Sequence, residues 1–198
     1  MNETIETINK RHSTRMFSDQ DVKQADLLEV LDAANKAPSA HNQQSWRFII
    51  TRGEKKAGLA NLISENASKF PKTSGALLRM AARSIKSAPL VIAIANTGDL
   101  IEHGGELFKL DQEHTYEFFR TMEIQSSSAA VQNLLLAATS LGLHTVWLGI
   151  MYLIKDEVLE YLDEPTGEFM AIIPMGYPAR EGKSPSKRSL DMIVKDLG

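Results

Sequence analysis

The chain has 198 residues, 43% of them hydrophobic and 24% charged, the balance of a globular protein that can build one core. Its net charge of −3 at pH 7 gives no general attraction to nucleic acid or to an anionic membrane. Because the chain has no cysteine, disulfides, thiolate nucleophiles, zinc–thiolate sites and iron–sulfur clusters are excluded.

The sequence predicts neither a signal peptide nor a membrane-spanning helix. Met1–Lys10 is polar and contains two glutamates, unlike a signal peptide. The longest apolar runs, such as Ala88–Ala95, fall far short of the roughly 20 residues that a membrane-spanning helix needs. We therefore expect a cytoplasmic protein with a single domain over residues 1–198.

The first quarter of the chain predicts two helices and a strand. Ile5 and Ile8 are spaced as on a short N-terminal helix. Lys23–Lys36 carries apolar residues at helical spacing, and this helix ends before Pro38 because the residue preceding a proline avoids the α region. Trp46–Thr51, rich in aromatic and β-branched residues, predicts a strand.

The middle of the chain alternates helices with a buried strand. Glu54–Ala67 has helical spacing, Phe70–Ser74 is expected to be a loop, and apolar residues between Leu77 and Ile85 predict a further helix. Ala88–Asn96 is almost wholly apolar, as in a central strand buried on both faces. Thr97–His114 is the least regular segment.

The remaining elements complete one α+β domain. Tyr116–Leu141 predicts a long core helix, His144–Met151 a strand, Lys155–Leu162 a short helix and Phe169–Pro174 another strand. The tail, Ala179–Gly198, is basic at first and then apolar. Together these elements predict a sheet of about four strands flanked by helices.

A cationic segment near the N-terminus is the first candidate site. Arg11, His12, Ser13 and Arg15 offer two guanidiniums and a hydroxyl within five positions, suited to a phosphate monoester. The pair Lys187-Arg188 could complete a clamp. Solvated basic turns and tails have the same composition, so the residues alone leave both interpretations open.

A polar loop and an aromatic group are the other candidates. Pro38–Asn42 lies between a helix and a strand, where Ser39 and Asn42 could bond the edge of a heteroaromatic ring or simply make a turn. Four aromatics near residues 100–119 could form a substrate rim around a planar acceptor or pack a helix start. These are Phe108, Tyr116, Phe118 and Phe119.

Other enzyme classes lack their motifs. The five histidines, at positions 12, 41, 103, 114 and 144, include no pair four residues apart, so we predict no metal site. The chain contains neither the Gly-x-Ser-x-Gly motif of serine hydrolases nor the Gly-x-Gly-x-x-Gly fingerprint of dinucleotide-binding domains.

The motifs taken together resemble one family. Arg-x-Ser-x-Arg-x-Phe from Arg11, followed by Ala-Pro-Ser-Ala-x-Asn-x-Gln-x-Trp-x-Phe from Ala37, is similar to the N-terminal pattern of the nitroreductase family of FMN-dependent oxidoreductases. Later segments match in order, so the resemblance covers nearly the whole chain. They are Ala88–Ala95, Val131–Ala138 with Leu141–Leu143, Trp147–Gly149, and Met175–Pro178 with Lys187-Arg188.

The resemblance implies a nitroreductase-like α+β fold with a mostly antiparallel sheet, and an intertwined homodimer with FMN at its interface. It places four groups of residues at the cofactor. These are Arg11, His12, Ser13 and Arg15, closed by Lys187 and Arg188, at the phosphate and ribityl chain; Pro38, Ser39, Ala40 and Asn42 at the isoalloxazine of the partner; Trp147, Leu148 and Gly149 along its other side; and Gln125 in the same region.

The resemblance also implies the chemistry. Two electrons pass from NAD(P)H through flavin N5 to an electron-poor acceptor such as a nitroaromatic or quinone, in a ping-pong cycle without a catalytic side chain. Reductive dehalogenation, flavin fragmentation, enoate chemistry and non-enzymatic flavin binding remain alternatives. A dehalogenase lid that grips an amino-acid zwitterion could use Glu102, Glu106, Lys109 and Glu113.

Two positions depart from the family pattern. Ser45 replaces the proline of the common Gln-Pro-Trp, which should loosen the turn. Serine stands near position 126, where an acidic residue is frequent. We expect cofactor binding to survive both changes.

Overall fold

The structure is a computed structural model that describes residues 2–108, 111–182 and 184–198. Four strands and seven α-helices lie within these ranges. The strands are β1 Trp46–Thr51, β2 Leu90–Asn96, β3 His144–Thr145 and β4 Glu168–Gly176, and the helices are α1 Glu3–Lys10, α2 Gln24–Asn35, α3 Gly53–Asn66, α4 Lys72–Ser87, α5 Asp99–Phe108, α6 Gln112–Ser140 and α7 Lys155–Tyr161.

The strands form one four-stranded antiparallel sheet, as predicted, and their order is β1-β2-β4-β3. Every residue of β2 is buried. Because side chains alternate along a strand, one set of β2 residues packs with α3, α4 and α7, and the other packs with α2 and α6. Helices therefore cover both faces, and α6 runs across one of them.

Three segments differ from the sequence prediction. Helix α4 begins at Lys72, inside the predicted loop, and β3 ends at Thr145 rather than Met151, giving way to a 3₁₀ turn at Ile150–Ile154. The segment expected to be irregular contains α5, Asp99–Phe108. Tertiary packing explains this helix despite its glycines, since the Phe119 ring fills the space that a Cβ at Gly104 would occupy.

Candidate functional site

The cationic segment lies beside the edge strand β3. Thr14 N donates to Thr145 O at 2.9 Å, and Thr14 Oγ1 lies 2.9 Å from His144 Nδ1. Thr14 is buried, whereas its neighbours Ser13 and Arg15 are exposed. Backbone pairing therefore fixes the segment and presents the hydroxyl and the guanidinium to solvent.

A second stretch of chain closes over this segment. Ser18 N donates to Tyr177 O at 2.9 Å, and Ala179 N donates to Met16 O at 3.1 Å. This pairing brings Arg180 beside Arg15. The result is a cleft of about 250 Å³ lined by residues 12–16 and 180–182.

A further cation, Arg180, lines the cleft, whereas the predicted pair Lys187 and Arg188 does not line it in the single chain. Lys187 and Arg188 lie in the exposed tail. Sequence reasoning missed Arg180, although it stands two residues after the recognised Met175–Pro178 stretch.

Two histidines form one wall of the cationic region. The rings of His12 and His144 meet edge to face, with centroids 5.0 Å apart. Burial, and then the nearby charge of His12, lower the pKa of His144. His12 Nδ1 lies 3.0 Å from Lys10 O, while its Nε2 is buried and has no hydrogen-bond partner among the described residues. That nitrogen packs against Gly182, where it would lie 2.8 Å from an added Cβ.

The Pro38–Gln44 loop holds an unusual backbone conformation. His41, Asn42 and Gln44 have φ of 52°, 53° and 54°, a left-handed region that costs non-glycine residues energy. Ser39 Oγ accepts a hydrogen bond from Gln44 N at 3.1 Å. Such strain persists only where the surroundings enforce it, and it concentrates at functional sites.

Helix α6 anchors this loop through the serine that departs from the family pattern. Ser126 Oγ accepts a hydrogen bond from Ala40 N at 3.1 Å and donates one to Met122 O at 2.7 Å. The hydroxyl thus holds the loop backbone. Gln125, the preceding residue on α6, is exposed.

The segment after β3 presents an open edge. Leu148 is buried and exchanges two backbone hydrogen bonds with Ile172, at 3.0 and 3.1 Å. Trp147 is 37% exposed, and nothing lies within 4 Å of where a Cβ on Gly149 would stand. A flat ligand could therefore approach the backbone here.

The predicted aromatic rim divides into three environments. Phe108 and Phe118 are each nearly half exposed, and the Phe108 ring lies 5.8 Å from that of His41 in the loop. Phe119 is fully buried and supports both rings from below. Tyr116 lies apart from these rings and lines a different cleft, with Glu123 and Phe169.

The loop and the cationic region contact different parts of α6. Ser126 meets the loop, while Ser140 lines a cleft with His12 and His144. At 1.5 Å per residue, these two serines are about 21 Å apart along the helix. A single chain therefore presents its two candidate regions well apart.

The described residues contain neither a metal-ligand cluster nor a membrane-spanning helix. No group of three or more histidine, aspartate or glutamate side chains could hold a metal ion there. In the same ranges, no helix is long and apolar enough to cross a membrane.

Comparison with known proteins assigns the fold to a family. The model of the Nitroreductase family matches residues 8–177. The chain belongs to the nitroreductase family. This confirms the predicted family and fold.

The relatives of this nitroreductase-family chain carry more than one activity in their names. A protein of Methanothermobacter thermautotrophicus named "Putative NADH dehydrogenase/NAD(P)H nitroreductase" is 31% identical over 195 residues, covering 95% of this chain and 82% of its own. Iodotyrosine deiodinase 1 of Mus musculus is 26% identical over 206 residues, covering 97% of this chain and 68% of its own.

Solved structures share the fold along the whole chain. A BluB-like flavoprotein from Clostridium difficile aligns with a TM-score of 0.77 at 26% identity, covering 100% of both chains. A protein from Desulfovibrio desulfuricans described as "a putative nitroreductase in complex with fmn" aligns with a TM-score of 0.74 at 24% identity, covering 100% of this chain and 99% of its own.

Proposed function

We propose that this protein passes two electrons from NAD(P)H, through bound FMN, to an electron-poor acceptor such as a nitroaromatic or quinone. The oxidoreductase class is confirmed by the family and by the relatives named NAD(P)H nitroreductases. FMN supplies the two-electron chemistry, so the chain needs to bind and orient rather than to react. In the proposed ping-pong cycle, donor and acceptor use the same open face in turn.

The cationic cleft carries this proposal. Arg15 and Arg180 line it together with the Ser13 hydroxyl and Glu181, whereas Arg11 precedes the lining residues in the sequence and is not one of them. Guanidiniums and a hydroxyl suit a phosphate monoester, so the residues present fit FMN.

Two other regions would hold the flavin ring. The strained Pro38–Asn42 loop offers backbone amides and the Asn42 side chain to its polar edge. Trp147 and Gly149 offer an open edge on the other side, with Leu148 packed into the core beneath them. Gln125 is exposed next to the loop anchor and could reach the same ring.

A homodimer would unite these regions. If two copies of α6 pair antiparallel about a two-fold axis, the loop of one chain lies beside the cationic cleft of the other. The exposed apolar tail also favours a partner, since Leu190, Ile193 and Leu197 are 72%, 60% and 82% exposed. A tail that crosses to the partner would also give Lys187 and Arg188 a route to the phosphate.

The acceptor would lie against the aromatic rim. His41 belongs to the loop that borders the flavin, and its ring contacts Phe108. Phe108 and Phe118 present aromatic surface beside it, which suits a planar acceptor.

Anaerobic reduction tests the proposal directly. NADPH or NADH, added to FMN-loaded protein without oxygen, should bleach the flavin absorbance, and a nitroaromatic or quinone should restore it. Flavin that stays oxidised under excess NADPH and NADH would refute the electron-transfer function and leave a flavin-binding protein.

Reductive dehalogenation is the second candidate because the mouse relative is named a deiodinase. The acidic residues suggested for its lid are present on α5 and α6, namely Glu102, Glu106 and Glu113, while Lys109 lies outside the described residues. Iodotyrosine in the same acceptor panel separates the two activities: iodide release faster than nitro reduction would favour the dehalogenase.

A further inference from the structure

Helix α4 carries one kind of charge only. Its four charged residues, Lys72, Arg79, Arg83 and Lys86, are all cations and all exposed, although the whole chain has a net charge of −3. At 100° per residue they fall within a stripe about 60° wide. Such a row of like charges repels itself unless an anion lies against it.

Three of these cations line one cleft. Arg79, Arg83 and Lys86 face Asn61 and Ser64 of α3 across a space of about 220 Å³. The other two lining residues are the buried alanines Ala60 and Ala82. Every polar side chain in this cleft can therefore donate a hydrogen bond, and none is a carboxylate.

No nearby acid neutralises the three cations. Within the described residues, none of them forms an ion pair within 4 Å, and the acidic residues of α3, Glu54 and Glu65, do not line the cleft. Lys56 adds a further positive charge, since its ammonium donates to Lys86 O at 3.1 Å and to Ala88 O.

Helix stabilisation does not account for the arrangement. A cation in the last turn of a helix favours the negative end of its dipole, which explains Lys86. The effect falls off within one turn, so it leaves Arg79, two turns earlier, unexplained. Paired arginines that converge on small, buried alanines are instead suited to a compact anion with several acceptor oxygens.

We propose that the cleft between α3 and α4 is a second anion site, which takes a phosphate monoester or free phosphate through Arg79, Arg83 and Lys86. It is separate from the cleft lined by residues 12–16 and 180–182, with which it shares no lining residue. The two lie near the same end of α4, where Ser87 Oγ is 3.5 Å from Arg15 O. The site does not depend on the proposed electron transfer.

Calorimetric titration with inorganic phosphate, at ionic strength matched with chloride, tests this site. The double variant Arg79→Gln/Arg83→Gln should lose at least about tenfold in phosphate affinity, because two charge-assisted contacts disappear. Lys72→Gln is the matched control, since Lys72 shares the helix and the stripe but not the cleft; it should bind as the parent does. The titrations use FMN-loaded protein, so that the cleft containing Arg15 is already occupied.

Three results would overturn the proposal. They are the absence of saturable phosphate binding, equal weakening by Lys72→Gln, and phosphate binding that Arg79→Gln/Arg83→Gln leaves unchanged. Unchanged circular dichroism must accompany the double variant, and Arg79→Lys/Arg83→Lys should restore part of the affinity. Adenosine 2′-monophosphate distinguishes the source: tighter binding than free phosphate identifies a nucleotide, and equal binding identifies the free anion.

Discussion

The cationic segment Arg11–Arg15 and the loop Pro38–Gln44 would serve the same flavin, yet they are held in different ways. Backbone hydrogen bonds to β3 and to Tyr177–Ala179 fix the first. The Ser39 and Ser126 hydroxyls accept hydrogen bonds from the loop backbone and hold the loop in a conformation that costs energy.

The difference separates affinity from orientation. In the cationic segment, ordinary backbone hydrogen bonds maintain the conformation, so the charged side chains can bind the ligand. In the loop, part of the folding free energy maintains the shape itself. Changes in the first region should therefore alter cofactor binding with little effect on stability, while changes in the second should alter both.

The largest expected effect is on FMN affinity. Arg15→Ala should weaken FMN binding by ~1.5–3 kcal/mol, the scale of a lost hydrogen bond to a charged group. Fluorescence titration measures it, with Arg52→Ala as the control, since the exposed Arg52 guanidinium lies outside the cleft and donates to Gln24 Oε1 at 3.4 Å. Equal FMN affinity in the Arg15→Ala and Arg52→Ala proteins would remove Arg15 from the phosphate site.

Removing the loop anchor should have an intermediate effect. Ser126→Ala leaves Ala40 N without its acceptor, so the free energy of unfolding should fall by ~0.5–1.5 kcal/mol and FMN should bind more weakly. Ser128→Ala is the matched control, because Ser128 Oγ donates to Ile124 O within α6. Urea titration of both proteins checks this, and identical losses would mean that Ser126 contributes nothing through the loop.

Relieving the loop strain should have a smaller effect of opposite sign. Gln44→Gly removes the cost of a left-handed φ, so stability should rise by at most about 1 kcal/mol. The neighbouring Gln43 has φ of −72°, so Gln43→Gly should instead destabilise by ~0.5–1 kcal/mol. Thermal unfolding measures the stability of the two variants. If Gln44→Gly destabilised the protein as Gln43→Gly does, the Gln44 conformation would not be strained.

The smallest effect concerns pH and the cationic region. Burial lowers the pKa of His144 from its ordinary value of 6.5, so the unfolded chain binds a proton more readily than the folded one. This contribution to stability is complete above about pH 6.5 and declines as pH falls toward the lowered pKa. In His144→Gln that part of the pH dependence should vanish; a parallel profile for both proteins would contradict it.

Most of the fold could be predicted because its signals are local. The almost wholly apolar β2, the β1 boundaries and the long α6 follow from periodicity and composition. Helix α5 could not be predicted, because what stabilises it is remote in sequence: Phe119 packs under Gly104, and Glu123 accepts a hydrogen bond from Leu100 N at 2.9 Å.

In the candidate site, too, local motifs could be predicted and contacts between remote segments could not. Arg15 and the Pro38–Asn42 loop were visible as motifs. Arg180 and His144 were not, because they join the cationic region only through the pairing of Tyr177–Ala179 and of β3 with residues 14–18. Tyr116 was grouped with the phenylalanines by sequence distance, but helical geometry turns it toward another cleft.

In the proposed dimer, each flavin is bound by the cationic segment of one chain and the Pro38–Gln44 loop of the other. Size-exclusion chromatography with light scattering and a visible spectrum tests this on the purified, FMN-loaded protein. The prediction is a species of twice the chain mass of 21.9 kDa that carries one FMN per chain. A colourless protein that cannot be loaded, or FMN bound stoichiometrically to a monomer, would contradict it.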